Sequence, residues 1–175
     1  SMPSPMAGAR CNLVTELCRE SLYDFMWYWR QVELPDVQLF AEDMCMGLRH
    51  IHQFSVLHRD MKPGNCLLQH VPGKRVVLKI CDFGNSVFLM HVGTKRFPQS
   101  EKLTPSMTTY CYSSPEVRRQ QPYGFPLDMW STGIIIWELL QDGTRSPAID
   151  FEYRKEPYET LKPAFEKFCK RLAEW

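Results

Sequence analysis

Eight consecutive residues, His58-Arg59-Asp60-Met61-Lys62-Pro63-Gly64-Asn65, put an acid, a cation and an amide on one short loop. That trio suits phosphoryl transfer. Asp60 can accept or orient the proton of a substrate hydroxyl, and Lys62 can offset charge on the transferring phosphoryl group. Asn65 can hold a magnesium ion through its side-chain oxygen. Magnesium takes carboxylate oxygens together with substrate phosphates, so an anionic second ligand is expected close by. Asp82-Phe83-Gly84 follows 22 residues after Asp60, and Asp82 is the candidate. Taken singly, an Arg-Asp is an ordinary surface ion pair and an Asp-Phe-Gly an ordinary turn. Only the whole set, at its spacing, carries chemical meaning.

The flanking elements must bring Asn65 and Asp82 together. Cys66–Gln69 and Val76–Cys81 read as two short strands, and Pro72-Gly73 supplies the turn between them, glycine tolerating a positive φ. The hairpin then delivers Asn65 at one end and Asp82 at the other. Upstream, Ser21 is a plausible N-cap for a first helix. Pro35 and Asp36 open a longer one, suited to a first helical turn and to the helix dipole. Val37, Phe40, Met44, Leu48 and Ile51 recur at helical spacing and give it an apolar face running to the loop. Residues 127–140 are apolar nearly all round, too short to cross a bilayer, and so belong to a core. Asn12–Cys18 reads as a short, mostly buried strand running into a turn. Residues 85–109 lack steady periodicity, which in a compact domain marks a functional segment or disorder. Phe165, Phe168 and Leu172 mark a last amphipathic helix.

The loop and the Asp82 turn resemble the H-R-D-x-K-x-x-N and D-F-G motifs of eukaryotic protein kinases, and the lysine two places after the aspartate resembles the serine/threonine branch. Thr109-Tyr110-Cys111-Tyr112-Ser113-Ser114-Pro115-Glu116 is similar to the T-x-x-Y-R-[AS]-P-E pattern of the CMGC group, except that Ser113 replaces the group's Arg, a departure that bears on proline-directed specificity. The resemblance implies an α+β, protein-kinase-like fold: a mostly helical C-lobe with short β-hairpins, the N-lobe being largely absent from the chain. Residues 1–10 would be a flexible tail, 11–20 the last N-lobe strand and hinge, and 21–175 an incomplete C-lobe ending near the helix of Phe165.

The same resemblance assigns roles. Asp60 would be the base and Lys62 the charge stabiliser at the nucleotide phosphates, with Asn65 and Asp82 as ligands of Mg2+. Thr15 would guard the back of the ATP pocket, Glu16 and Cys18 would meet adenine through their backbones, and Leu67 would form its floor. Asp128 would be a buried anchor for the catalytic loop. Arg59 would respond to phosphate on Thr104, while the position of a second family Arg is Val87 here. A protein would be the substrate, with room for a regulatory protein partner. Two other readings stay open: a catalytically inactive kinase-like binding module, or a truncated fragment. No glycine-rich loop, upstream lysine or partner glutamate precedes residue 11, so the chain alone is expected to be inactive.

Composition agrees with one globular domain. The chain has 175 residues, 44% hydrophobic content and a formal net charge of +1, which offers no electrostatic case for nucleic acid or a membrane surface. No apolar run reaches bilayer-spanning length. Seven cysteines, at 11, 18, 45, 66, 81, 111 and 169, are odd in number and form no C-x-x-C pair. They read as small buried thiols of a reducing compartment, which predicts an intracellular protein of the cytoplasm, the nucleus or both.

Overall fold

The computed structural model describes residues 12–28, 32–89 and 109–140. The expected tail at 1–10, Thr104 and the helix of Phe165, Phe168 and Leu172 lie outside them. The described chain runs β1 (Glu20–Ser21), α1 (Leu22–Tyr28), α2 (Leu34–Gln53), β2 (Val56–Leu57), β3 (Cys66–Gln69), β4 (Val77–Ile80), β5 (Val87–Phe88), α3 (Pro115–Arg118) and α4 (Pro126–Leu139).

Both long helices form for reasons visible in their residues. In α2, Pro35 and Asp36 occupy the first turn, and Val37, Phe40, Met44 and Leu48 are buried as the spacing predicts. The α1 helix is capped by Ser21, whose Oγ accepts from the Asp24 N–H at 3.1 Å. The α4 helix carries buried side chains on several faces, from Leu127 and Thr132 to Ile135 and Leu139, as an almost wholly apolar helix must. These helices close over one core of Leu22, Val37, Phe40, Met44, Leu48, Met61, Cys66, Leu68, Leu78, Ile135 and Leu139. An added Cβ at Gly47 would stand 2.8 Å from Ile80 Cδ1, so the glycine lets α2 lie close against β4.

Strands β1, β3 and β4 make an antiparallel sheet in that order, with Cys66 opposite Ile80 and Gln69 opposite Val77. Gly73 takes the positive φ of 74° that its turn requires. Alternation along β3 and β4 sends Cys66, Leu68 and Leu78 into the core. Asp43 on α2 ties this hairpin down: it accepts two bonds from Arg75, at 2.7 and 2.8 Å, and one from the Leu78 N–H at 2.9 Å.

Three expectations need correction. Asn12–Cys18 is neither a strand nor buried: Leu13, Val14 and Leu17 are 88%, 91% and 91% exposed. A strand needs another beside it, and among the described residues none runs alongside this segment. Pairing with β3 starts only where the Arg19 N–H donates to Leu68 O at 3.0 Å. The segment after the Asp82 turn is more regular than its composition predicts, because Val87–Phe88 pairs with Val56–Leu57. Leu57 and Leu89 then join Val117, Tyr123 and Leu127 in a second core. The cysteines also differ from expectation at one position: Cys66 and Cys111 are buried and Cys18 and Cys81 half-buried, but Cys45 is exposed, and all five are free thiols.

Candidate active site

Asp128, at the first turn of α4, holds the backbone of the loop. It is wholly buried, and its carboxylate accepts the His58 N–H at 2.9 Å (Oδ2) and the Arg59 N–H at 2.9 Å (Oδ1). His52, at the end of α2, donates Nε2–H to Oδ2 at 2.8 Å and packs its ring on Phe125. A buried carboxylate is tolerable with such a set of donors. These bonds hold Arg59 at φ 69°, a left-handed conformation unfavourable for a residue with a Cβ.

His58 links the loop to the Asp82 turn. Its Nδ1 accepts the Asp60 N–H at 3.3 Å, so the ring proton sits on Nε2 and donates to Cys81 O at 3.0 Å. Phe83 lays its ring edge-on to the imidazole, with centroids 5.1 Å apart. The Cys81 N–H in turn donates to Asn65 O at 2.9 Å. The hairpin therefore brings the backbones of residues 65 and 81 together, one position short of Asp82.

Asp60 is buried and its carboxylate is met from every side. Oδ2 accepts from Lys62 Nζ at 2.8 Å, Asn65 Nδ2 at 3.2 Å and Asn85 Nδ2 at 3.4 Å. Oδ1 accepts from the Thr109 hydroxyl at 2.9 Å and the Thr109 N–H at 3.3 Å. Lys62 also donates to Thr109 Oγ1 at 3.2 Å. Burial pushes the Asp60 carboxyl up, but the bonds from Lys62 and Thr109 and the lysine charge outweigh it, leaving the group below its ordinary 3.8. The group is thus an ionised acceptor oriented by its neighbours.

Asn65 spends its amide nitrogen twice on Asp60, donating to the backbone oxygen at 2.8 Å as well as to Oδ2. That leaves the amide oxygen as the end suited to a hard cation. Asp82 is exposed, has φ 62°, and caps the 3-10 turn Phe83–Asn85 by accepting the Gly84 N–H on Oδ1 at 3.2 Å. A Cβ on Gly84 would stand 3.1 Å from that oxygen, so the glycine keeps room for the carboxylate. Among the described residues no cluster of three His, Cys, Asp or Glu could hold a metal alone. Magnesium is rarely caged by protein alone and takes phosphate oxygens as well.

Other predicted residues fall elsewhere. Leu67 is half-buried on the β3 face opposite the core. Glu16 lies over that face: its carboxylate accepts from Gln69 Nε2 at 2.8 Å and stands 3.4 Å from Lys79 Nζ. Thr15 is exposed and Cys18 half-buried. Arg59 is buried, with Nε donating to Asn85 O and Nη1 3.5 Å from the Tyr123 hydroxyl. The sequence reading missed Thr109 and Asn85 as partners of Asp60. Thr109 opens the motif ending at Glu116, a signal of importance but not of contact. Asn85 carries no such signal beyond following Gly84.

The family description "protein kinase domain" matches residues 6–164. The chain is 33% identical over 159 residues to a probable serine/threonine-protein kinase of Encephalitozoon cuniculi, a match covering 91% of this chain and 27% of that protein. It is 31% identical over 144 residues to serine/threonine-protein kinase STY46 of Arabidopsis thaliana, covering 82% and 21%. To serine/threonine-protein kinase nekl-2 of Caenorhabditis elegans it is 35% identical over 140 residues, covering 77% and 36%. The chain thus spans between about a fifth and about a third of these relatives' lengths.

Proposed function

Because the chain belongs to the protein kinase family, we propose that it is the catalytic region of a serine/threonine kinase, moving the γ-phosphoryl group of ATP to a protein hydroxyl. The observation that carries this reading is the Asp60 carboxylate, ionised, oriented and 2.8 Å from Lys62. In the transfer, the acceptor oxygen bonds to the γ-phosphorus while the bond from that phosphorus to the bridging oxygen breaks and ADP leaves. The hydroxyl proton passes to Asp60. A carboxyl held below its ordinary value is a weak base, so Asp60 orients the hydroxyl first and takes the proton late. Such catalysis is mostly positioning and electrostatic stabilisation.

Asn65 and Asp82 are the proposed magnesium ligands, and Mg2+ would supply charge neutralisation across the phosphates. Lys62 would serve both Asp60 and the transferring group. Glu16, Cys18 and Leu67 are proposed to meet the nucleotide base, and Arg59 to answer a phosphate on Thr104. The assignment of residues 21–175 to a C-lobe, the CMGC-like character suggested by residues 109–116, a regulatory partner and an intracellular setting belong to the same proposal. Among the described residues no helix is long and apolar enough to cross a membrane.

The test is phosphotransfer by the full-length protein to a mixed serine and threonine peptide pool. Asp60→Asn should abolish transfer while leaving magnesium-ATP binding intact, and Asp82→Asn should abolish that binding by calorimetry. Transfer by Asp60→Asn at the wild-type rate, or equal magnesium-ATP affinity for Asp82→Asn, would overturn the assignment. An inactive wild type that still binds protein partners would favour a binding module.

A further inference from the structure

The two oxygens of Asp60 are unequal. Oδ1 is met by Thr109, whereas Oδ2 takes nitrogen donors from Lys62, Asn65 and Asn85. Lys62 and Asn65 belong to the loop that carries Asp60. Asn85 does not: it closes the 3-10 turn that Asp82 caps. Asn85 also touches the neighbouring residue, because its backbone carbonyl accepts Arg59 Nε. One residue of the metal-binding turn therefore grips two consecutive residues of the catalytic loop, one with its side chain and one with its backbone.

We propose that Asn85 is a positioning residue for phosphoryl transfer, its amide setting the plane of the Asp60 carboxylate relative to the Asp82 turn. The proposal rests on the kinase reading above. The alternative is an asparagine present only for its tolerance of turns. The two differ in a separable way. Any residue at 85 would offer the carbonyl to Arg59, but only a side-chain donor reaches Oδ2. At 3.4 Å the bond is long, as catalytic bonds often are before substrate closes the site.

Asn85→Leu keeps the branched shape and the backbone carbonyl but removes the donor. Asn85→Asp puts a second carboxylate beside the first, where repulsion should turn Asp60 away. In the full-length kinase, kcat for peptide phosphorylation should fall about tenfold in Asn85→Leu and further in Asn85→Asp. The KM for ATP should stay within about twofold and Tm within about 2 °C. In protein labelled with 15N only at asparagine, the Asn85 side-chain amide signals should also move in Asp60→Ala, a readout that needs no activity. Wild-type kcat in Asn85→Leu, an unmoved amide signal, or a kcat loss matched by losses of stability or ATP affinity would overturn the role. A wild type with no phosphotransfer would instead overturn the kinase reading and the role with it.

Discussion

Asp128→Asn should release one particular amide. The carboxylate accepts two donors on Oδ2, from His58 N and His52 Nε2, and one on Oδ1, from Arg59 N. An asparagine offers a single acceptor oxygen. Placed where it keeps two donors, it turns its NH2 group toward the Arg59 N–H, donor against donor. A buried donor left without an acceptor costs about 1–3 kcal/mol. Arg59 also loses the bond that holds its left-handed backbone, which is itself unfavourable by roughly 1–2 kcal/mol. The loop should therefore open more often at Arg59. Since about 1.4 kcal/mol is tenfold, hydrogen-exchange protection of that amide should drop by roughly five- to 150-fold. Asp128→Ala orphans both backbone amides, and its cost of about 2–6 kcal/mol is large against the roughly 5–15 kcal/mol of a whole domain. Site-resolved exchange and urea unfolding measure the two effects. If the Arg59 amide exchanged in Asp128→Asn as slowly as in wild type, the idea of Asp128 as the loop's anchor would be refuted.

Two further perturbations bear on the hairpin and the turn. Burial raises the Asp43 carboxyl, but the bonds from Arg75 and the Leu78 N–H leave it below 3.8 overall, so its contribution to stability is present above that value and lost as pH falls through the lower folded one. Urea midpoints of wild type and Asp43→Ala should accordingly differ at neutral pH and converge in acid; a constant gap would contradict this. Gly84→Ala should weaken magnesium-ATP binding about tenfold, because the new Cβ forces the Asp82 carboxylate to shift, and calorimetry at varied magnesium would show it.

Much of the site was legible because its residues act through sequence-local geometry. Asp60, Lys62 and Asn65 share one loop, and a hairpin with a glycine turn has few ways to arrange its two ends. Asp128, whose loop partners lie 70 and 69 positions away, was placed by the resemblance to the kinase motif and not by anything local. What could not be read were the contacts made across the fold. Asn85 meets Asp60 because β5 pairs with β2, and that two-residue ladder is too short to leave a pattern. Asp43 clamps Arg75 across 32 positions of chain, with nothing local to mark it. Asn12–Cys18 misled because a short apolar run reports suitability for a buried strand, and a strand forms only where another backbone lies alongside.

Cys66 gives the loop a built-in clock. It directly follows Asn65, its side chain is sealed in the core, and burial together with nearby Cys81 pushes its thiol up to about 12. A thiol reagent can reach it only in the intervals when the start of β3 swings out of the core. Cys45, exposed on α2, marks the reagent's arrival and sets zero time. The lag between the two modifications counts openings beside a proposed magnesium ligand, and a nucleotide that clamps Asn65 would lengthen that lag by the factor 1 + [L]/Kd.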